Sequence, residues 1–425
     1  MREMKDSGIS WVEEIPKEWS VNRAKYCFVN TKEIAGCRSD RYERLALTMN
    51  GVIKRSKDDS NGLQPEKFET YQILRPDELV FKLIDLQNVS TSRVGLSPYL
   101  GLVSPAYIIL KSNKRVLPAF AEKYFLMLWK NQIFNALGDA GVRSNLNSKD
   151  LLELSIPFPS LVEQQRIAEF LDRECGKIDG LKADIQAQID TLEQYKRSVI
   201  TEAVTHGLNP SAPMKDSKVW YGQISSEWKE LKGKYVFKQR NDRGNNVCLQ
   251  LLSPTQKYGV IPQDKYEELT GMNAVKLNYS TNYALLKTIH KGDYCISLRS
   301  FQGGFEYSEY EGVVSPAYQV FYPIITIADG YYKYLFKEKG FIDVMNSYTM
   351  SLRDGKNIAF DDFGDTFIPV PPLDEQQEIA DYLDNKCAEI EQIIADKKSQ
   401  IETLDGYKKS LIYEYVTGKK EVYYV

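Results

Sequence analysis

The sequence predicts an α+β protein built as an internal duplication, in which each half is a globular domain followed by a long helix. Residues 161–205 return as residues 373–416, and both stretches open on a Glu-Gln-Gln triplet, at Glu163 and Glu375. The triplets lie 212 residues apart in a chain of 425, and the register between the two stretches holds without a gap. A repeat of this length indicates a tandem duplication with two equivalent halves.

Each repeated stretch is predicted to be one long helix. It follows a lead-in that contains prolines, at Pro157 and Pro159 in the first half and within residues 368–372 in the second. Proline fixes φ and moves the preceding residue out of the α region, so no helix runs back through the lead-in. The stretches themselves contain no proline and are rich in good helix formers.

Apolar residues in each stretch recur at intervals of three and four, which is typical of a helix that packs on one partner helix. Matched polar interruptions at Gln188 and Gln400 favour pairing of the two helices with each other over a long, open-ended coiled coil. An ordinary amphipathic helix on a globular core is the alternative. The predicted stripe consists of Ile178, Leu181, Ile185, Ile189, Leu192, Tyr195 and Val199 in the first helix, and Ile390, Ile393, Lys397, Ile401, Leu404, Tyr407 and Leu411 in the second.

The N-terminal opening also repeats, since Trp11 and Trp19 return as Trp220 and Trp228. Gly207 and the prolines after it form a helix stop and a short stiff linker before the second opening, so the second half begins near residue 213. The predicted segments are a first globular domain at 1–160, the first helix at 161–205, a linker at 206–217, a second globular domain at 218–372, and the second helix with a C-terminal tail at 373–425.

Each globular domain is expected to mix short strands with helices. The predicted strands are residues 79–84, 107–110, 294–298 and 318–322, and the predicted helices are residues 119–137 and 330–346. The motif Val-Ser-Pro-Ala-Tyr recurs at residues 103–107 and 314–318, whereas the loops at 83–96 and 298–308 have little in common. A common scaffold with different loops indicates the same task performed on two different targets.

Composition narrows the class of protein. No apolar run approaches 18 residues and the N-terminus has no apolar signal region, so neither a membrane span nor a secretory signal is expected. The six cysteines are scattered without a CxxC pair, which is typical of reduced thiols in the cytoplasm.

Charge is distributed unevenly. The chain carries a net charge of −3, but residues 161–205 carry −3 and residues 373–416 carry −6, which leaves +6 on the remainder. Within the globular domains, residues 38–57 hold six basic and two acidic residues, and residues 229–257 hold seven and two. Basic loops of this kind suit phosphate contacts with DNA, although a solvated lysine-rich face is the alternative.

No catalytic, metal or cofactor site is expected in this chain. The two histidines, His206 and His290, lie far apart, and the sequence lacks the GxxxxGK[ST] motif of ATP-binding loops. Ser104-Pro105-Ala106-Tyr107 and its repeat differ from the amino-methyltransferase motif in lacking a second proline, and no glycine-rich S-adenosylmethionine loop precedes either copy. We therefore interpret both as structural turns that lead into strands.

The chain resembles the specificity subunit of type I restriction-modification systems. The resemblance rests on Ile15-Pro16-Lys17-Glu18-Trp19, on the Ile-Pro-x-Pro-x-Leu-x-Glu-Gln-Gln segments at 156–165 and 368–377, and on the Tyr-Lys pairs near the helix ends. The segment Leu-Arg-Ser-Phe-Gln-Gly-Gly at 298–304 adds to it, and residues 82–93 follow the family's other common version of that segment. These motifs occur in family order in both halves and cover essentially the whole chain.

The resemblance implies a function. Two target-recognition domains each read one half of a split double-stranded DNA site. The paired helices form an antiparallel spacer that sets the gap and gives the subunit pseudo-two-fold symmetry. The subunit is non-catalytic. It positions two modification subunits, which methylate adenine N6 with S-adenosylmethionine, and it joins restriction subunits that use ATP and Mg²⁺ to translocate and cut DNA.

The predicted DNA contacts are basic and amide side chains on the loops of the two domains. They are Lys54, Arg55, Lys57, Lys82, Gln87, Asn88, Arg93 and Arg143 in the first domain, and Arg240, Arg243, Lys257, Arg299, Gln302 and Arg353 in the second. Each could instead form a surface ion pair or stabilise a loop.

Two other classes of protein remain open at this point. A stand-alone DNA-binding or architectural protein with a coiled-coil spacer would bind its site without partner subunits. An enzyme with its own methyltransferase or nuclease site would bind S-adenosylmethionine or metal by itself, and the missing cofactor loops argue against it.

Overall fold

The computed structural model describes residues 2–59, 67–86, 92–138, 145–218, 222–244, 249–272, 283–296, 304–348 and 358–422. The chain divides into two compact units. The first comprises Met1–Gln186 and Lys398–Val425, and the second comprises Ala187–Lys397. Each unit therefore contains one globular domain and a part of both long helices.

The first half of the chain consists of short strands and helices followed by a long helix. Its strands are β1 (Met4–Asp6), β2 (Glu14–Pro16), β3 (Ser20–Arg23), β4 (Phe28–Thr31), β5 (Arg44–Thr48), β6 (Gly51–Arg55), β7 (Gln72–Leu74), β8 (Leu79–Phe81), β9 (Val94–Leu96), β10 (Gly101–Val103), β11 (Ile108–Ser112) and β12 (Ser155–Phe158). Its helices are α1 (Pro118–Lys130), α2 (Ile133–Leu137), α3 (Ser148–Glu153) and the long α4 (Leu161–His206).

The second half repeats this order. Its strands are β13 (Met214–Asp216), β14 (Gln223–Ser225), β15 (Lys229–Lys232), β16 (Phe237–Arg240), β17 (Leu252–Thr255), β18 (Gly259–Pro262), β19 (Lys287–Ile289), β20 (Tyr294–Ile296), β21 (Phe305–Tyr307), β22 (Gly312–Val314), β23 (Gln319–Pro323) and β24 (Phe367–Val370). Its helices are α5 (Gly233–Val236), α6 (Gln263–Thr270), α7 (Asp329–Leu335), α8 (Lys339–Ser347), α9 (Phe360–Asp365) and the long α10 (Leu373–Val416).

The two domains share their sheet connectivity. The order β4-β11-β8-β9 in the first domain returns as β16-β23-β20-β21 in the second. The first domain has a further sheet in the order β6-β5-β10-β7, and its second-domain counterpart is the two strand pairs β17-β18 and β19-β22. In both domains the strand after the repeated tryptophan pairs with the strand that leads into the long helix, as β3-β12 and β15-β24. The predicted α+β duplication is confirmed.

The four predicted strands are present as β8, β11, β20 and β23. Of these, β8 ends earlier than predicted, β11 and β23 begin one residue later, and the predicted end of β20 lies outside the described residues. Each predicted domain helix is broken in two. In the first domain the break follows Lys130, and Gln132 has a left-handed φ of 60°. In the second domain α8 restarts at Glu338, whose side chain accepts the Phe341 amide at 2.8 Å and so caps the new helix. A side-chain cap satisfies a backbone donor that the first turn leaves unpaired, which stabilises the restart.

Aromatic rings fill the core of each domain. In the first, Phe125 of α1 contacts Phe81 edge-to-face with 5.0 Å between ring centroids. In the second, Phe237 packs on Phe321 at 5.4 Å and on Phe336 at 5.7 Å. Burial of such rings removes a large apolar area from water, and edge-to-face contacts add to that gain. The rings come from the strands and helices that both domains share.

The long helices begin at the predicted residues, immediately after the proline-bearing lead-in strands, and α4 ends at His206. Gly207 follows with a φ of +81°, which is the left-handed conformation typical of a helix C-terminus. A Cβ atom at this position would lie 2.7 Å from Glu375 Oε1, so a side chain here would displace the Glu375 carboxylate. The predicted helix stop is confirmed, but the end of the stretch predicted as linker forms β13, which pairs with β14.

The two long helices pair antiparallel within each unit. In the first unit Lys408 Nζ lies 2.7 Å from Asp179, and Lys182 Nζ lies 2.5 Å from Asp405. From the first pair to the second, the residue number rises in α4 and falls in α10, so the two helices run antiparallel. In the second unit Lys397 Nζ donates to Gln188 Oε1 at 2.6 Å, and Lys196 pairs with Glu391 in the same sense.

The predicted stripe is correct in spacing but wrong at two matched positions in each helix. Leu181 and Tyr195 are 53% and 49% exposed, and Ile393 and Tyr407 are 38% and 57% exposed. The neighbouring residue takes the seam position in each case, and these seam residues are Lys182, Lys196, Ile394 and Lys408. A lysine can occupy the seam because its methylene stem packs on apolar atoms while its ammonium group reaches a carboxylate at the edge.

The repeated Glu-Gln-Gln triplets join each long helix to its own domain. Glu163 Oε2 accepts the indole N–H of Trp19 at 2.9 Å, and Glu375 Oε2 accepts that of Trp228 at 2.8 Å. Gln376, only 1% exposed, accepts the Ala328 amide and donates to the Pro371 carbonyl, both at 2.9 Å. The first glutamine thus links the start of the long helix, its lead-in and the residue before α7.

The same join is present in the first domain. Gln164 is fully buried, accepts the Leu117 amide at 2.8 Å and donates to the Pro159 carbonyl at 2.9 Å. Because buried polar groups are costly unless they are paired, this side chain has little freedom to move. The repeated motif therefore has a structural role, which is to fix each domain on its helix.

Candidate nucleic-acid interface

The predicted DNA contacts divide into those that the structure describes and those that it does not. Lys54, Arg55, Lys57, Lys82, Arg93, Arg240, Arg243 and Lys257 lie among the described residues. The other six, Gln87, Asn88, Arg143, Arg299, Gln302 and Arg353, lie outside them.

A basic cleft lies beside β6 in the first domain and contains three of the predicted contacts. It is lined by Asp40, Arg41, Tyr42, Glu43, Arg44, Lys54, Arg55, Ser56 and Lys57. Five cationic side chains thus line the cleft with two carboxylates. An excess of positive charge in a concave surface favours phosphate binding.

Internal contacts hold several of the cleft side chains in place. Lys54 is 2.6 Å from Glu43 and lies over the Tyr99 ring, and this ion pair raises the pKa of Lys54. Arg55 pairs with Asp59 at 2.6 Å, and Lys57 donates to the Ser39 carbonyl at 2.8 Å. Each contact pre-orients a cation that stays at least partly exposed.

Lys82 and Arg93 flank the residues that connect β8 to β9. The Lys82 amide donates to the Arg93 carbonyl at 3.0 Å, and Arg93 Nη2 donates to the Asp85 carbonyl at 2.5 Å. The Arg93 side chain is fully buried, and burial lowers the pKa of both cations. Arg93 therefore holds the backbone at Asp85 in place, whereas Lys82 is partly exposed.

Arg240 is engaged by carboxylates of its own domain. Its guanidinium donates two hydrogen bonds to Asp293, at 2.7 and 3.0 Å, and one to Asp242 at 3.2 Å. It also stacks over the Tyr322 ring at 4.4 Å. A bidentate arginine–carboxylate pair has directional, charge-assisted hydrogen bonds, so Arg240 ties β16 to the turn before β20.

Arg243 and Lys257 are exposed in the second domain. Arg243 Nη1 donates to the Leu285 carbonyl at 2.6 Å. Lys257 lies in the turn between β17 and β18, with its ammonium group 4.8 Å from the centre of the Tyr258 ring.

Two residues that the sequence interpretation missed lie at equivalent positions beneath the Ser-Pro-Ala-Tyr turns. Gln72 Nε2 donates to the Tyr107 carbonyl at 2.8 Å, and Lys287 Nζ donates to the Tyr318 carbonyl at 2.8 Å. Both are buried, and burial lowers the pKa of Lys287, with a further contribution from Arg243. Alignment of the two halves would have revealed them, since each is the first residue of the strand that pairs with β10 or β22.

The Ser-Pro-Ala-Tyr motifs themselves form turns, as the sequence predicted. The Tyr107 amide donates to the Ser104 carbonyl at 3.1 Å, and the Tyr318 amide donates to the Ser315 carbonyl at the same distance. The strands β11 and β23 begin at the next residue. Each turn is thus stabilised by a backbone hydrogen bond within the turn and by a side-chain hydrogen bond from Gln72 or Lys287.

The described residues contain no group of three or more His, Cys, Asp or Glu side chains placed to hold a metal ion. They also contain no helix that is both long and apolar enough to cross a membrane.

Comparison with known proteins decides the family. The model of the type I restriction modification DNA specificity domain matches residues 59–191 and again residues 224–403. The chain belongs to this family. The two matches fall in the two halves of the duplication, so this specificity subunit carries two specificity domains in tandem.

Two relatives are described as specificity subunits of type I restriction enzymes, and the chain matches one of them over nearly its whole length and the other over less than a third. A Methanocaldococcus jannaschii protein described as the specificity subunit of the type I restriction enzyme MjaX is 22% identical over 442 residues, which is 96% of this chain and 95% of that protein. The MjaVIII specificity subunit of the same organism is 25% identical over 136 residues, or 32% of this chain and 30% of that protein.

A solved structure shows the same fold. A chain from a study of complex assembly and conformational transition in the type I R-M system superposes with a TM-score of 0.67 at 13% identity, covering 96% of this specificity subunit and 99% of that chain. The HsdS subunit from Thermoanaerobacter tengcongensis is also similar, with a TM-score of 0.47 at 13% identity, covering 96% and 98%. The family match and the full-length relative support the specificity-subunit interpretation over a stand-alone architectural protein.

Proposed function

We propose that each domain of this specificity subunit reads one half of a bipartite double-stranded DNA site, and that the paired helices set the gap between the halves. The supporting observation is the duplication itself. Two domains of one connectivity carry loops of different sequence, so the same scaffold can present different side chains to two different base sequences. The basic cleft beside β6 supplies phosphate affinity in the first domain.

The proposal extends to the partners. One modification subunit docks on each half, methylates adenine N6 and binds S-adenosylmethionine itself, and restriction subunits supply ATP- and Mg²⁺-dependent translocation and cleavage. This chain contributes positioning and specificity and no catalytic group, and it acts in the cytoplasm. Half-sites on one face of DNA need centres about 34–36 Å apart, and α4, at 46 residues and about 1.5 Å per residue, is long enough to span that distance.

A half-site experiment tests this proposal. Gln302→Ala and Arg299→Ala, made in the chain co-expressed with its modification subunit, should relax or abolish reading of one half-site only, because both residues belong to the second domain. Methylated sites are mapped by single-molecule sequencing, and Lys54→Ala in the first domain serves as the matched variant for the other half. Unchanged methylation at both half-sites, or equal loss at both, would contradict the assignment.

A further inference from the structure

An exposed tyrosine recurs at the same position in both domains. Tyr26 is 54% exposed and Tyr235 is 59% exposed. Each lies seven residues after its repeated tryptophan, Trp19 or Trp228. One residue separates each tyrosine from the strand that follows, which is β4 in the first domain and β16 in the second. Among the exposed aromatic side chains of the described residues outside α4 and α10, these two are the pair that lies at equivalent positions.

The surroundings of the two tyrosines recur as well. Lys25 lies over the Tyr26 ring at 5.5 Å, and Lys234 lies over the Tyr235 ring at 5.8 Å. In each domain two cations share one carboxylate. We call the two groups the tyrosine patches, and they consist of Arg23, Lys25, Tyr26 and Glu153 in the first domain and Lys232, Lys234, Tyr235 and Asp365 in the second.

The distances within the patches are closely similar. Arg23 and Lys25 lie 2.5 and 2.8 Å from Glu153. Lys232 and Lys234 lie 3.1 and 2.8 Å from Asp365. The residue types have changed from Arg to Lys and from Glu to Asp, yet the charges and the arrangement are retained.

Folding does not explain the exposed rings. More than half of each ring surface faces solvent, and neither hydroxyl group makes a hydrogen bond to another described residue. Scattered exposed apolar residues are normal, but the same exposed aromatic ring in two domains whose loops differ indicates a shared use. A surface used by both domains must bind something that is the same for both, unlike the two DNA half-sites.

The charges of the patches favour a protein over DNA. A carboxylate sits between the two cations of each patch and would repel a phosphate group.

We infer that each tyrosine patch docks one copy of the modification subunit, so that the two domains bind two identical partners through the same chemistry. This inference rests on the proposed function. The partner surface that fits is an apolar pocket for the tyrosine ring with a rim of carboxylates or carbonyl groups that meets the flanking cations. Tyrosine is among the residues that most often dominate the binding energy of an interface, because its ring buries a large area at little entropic cost.

Subunit stoichiometry tests the inference. The full chain is co-expressed with its modification subunit, purified, diluted in steps and weighed intact by native mass spectrometry. The wild-type complex should hold two modification subunits. Tyr26→Ser and Tyr235→Ser should each bind one of the two copies about tenfold or more weakly and shift the population to one copy, and the double variant should lose both.

Three controls accompany this experiment. Tyr26→Phe and Tyr235→Phe retain the ring and should keep two copies. Leu269→Ser removes an exposed side chain on α6, outside the patches, and should also keep two copies. The thermal midpoint of the serine variants should match that of the wild type, because neither ring is part of a core.

Two results would overturn the inference alone. The first is full assembly of the double serine variant at every dilution where the wild type assembles, with site-specific methylation intact in the wild type. The second is full assembly combined with weaker DNA binding and a smaller salt dependence, which would make the patches DNA contacts. A wild-type chain that binds no modification subunit would overturn both this inference and the proposed function.

Discussion

At the scale of single residues, Gln164 and Gln376 perform the same task in the two halves. Each side-chain amide donates a hydrogen bond to the proline lead-in of its long helix. Each also accepts a hydrogen bond from the backbone amide of the N-cap residue of a domain helix, which is Leu117 or Ala328. Both glutamines are buried, so water cannot replace either bond. The direction in which a domain leaves its helix therefore depends on one side chain in each half.

Gln376→Ala should lower the free energy of unfolding by about 2–4 kcal/mol, because two buried backbone groups lose their partners at once. Urea unfolding followed by circular dichroism measures this. The adjacent Gln377→Ala is the control, since Gln377 is exposed and bonds only the Asp381 carboxylate in the structure as described. Equal midpoints for the two variants would contradict the role assigned to Gln376.

Glu306 is a buried carboxyl group on β21 that lies 2.6 Å from Lys337. Burial raises its pKa from 4.5 to about 7, against the opposing effect of Lys337. Between these two pH values the folded chain binds more protons than the unfolded chain. The free energy of unfolding therefore falls as the pH rises from about 4.5 to about 7.

Glu306→Gln should abolish this pH dependence. Across the range from pH 4.5 to 7.5 the wild type should lose on the order of 3 kcal/mol relative to the variant. Urea unfolding at several pH values tests this, with the exposed Glu309→Gln as the control. If wild type and Glu306→Gln kept a constant difference in stability over this range, the buried carboxyl group would not titrate there.

At the scale of elements, the paired helices use two ion pairs at equivalent positions, Lys408 with Asp179 and Lys196 with Glu391. Each lysine occupies a seam position, and each carboxylate lies on the exposed edge of the facing helix. The seam is consequently less apolar than a coiled coil of leucines. Its charges favour the antiparallel register in which both pairs form.

Lys408→Glu should destabilise the helix pair, because a carboxylate would then face Asp179 and the apolar lysine stem would be lost. Asp179→Lys in the same chain should restore about 0.5–1 kcal/mol of this loss through the reversed pair. A double-mutant cycle by thermal unfolding measures the coupling, and Lys409→Glu on the exposed face is the control. Strict additivity of Lys408→Glu and Asp179→Lys would mean that the pair contributes nothing.

The long helices were predictable because prolines bound them and the 3-4 spacing persists over many turns. The residues with which each helix faces its partner were not predictable. Leu181 and Lys182 both fit a 3-4 spacing, and hydrophobicity alone favours Leu181, but the contacts of the partner helix bury the stem of Lys182. Adjacent positions on a helix differ by only 100°, so the choice depends on a partner that local periodicity does not include.

The sequence predicted where a basic surface lies, but it did not predict which side chains on that surface face solvent. The basic stretch around Lys54 does line a cleft. Arg93 and Arg240 have the same residue type as a DNA contact, yet one is buried and the other is held by Asp293. Which arginine faces solvent depends on carboxylates and carbonyls brought together from distant parts of the chain, and sequence spacing does not contain that information.

At the scale of the whole molecule, the duplication explains why some features are the same in both halves and others differ. Features that both halves need are the same in both, including the tryptophan–glutamate bond, the buried glutamine and the tyrosine patch. The loops between strands differ. On the proposed function, the loops differ because each domain reads its own base sequence, and the shared features are retained because both domains bind copies of the same partner.

Reading of a bipartite DNA site can be measured by co-expressing this specificity subunit with its modification subunit in a host without DNA methylation. Single-molecule sequencing then maps N6-methyladenine. We expect one motif of two short defined blocks separated by a fixed unspecified gap. Methylation at a single continuous motif, or no methylation from an assembled complex, would show that the chain does not read a split site.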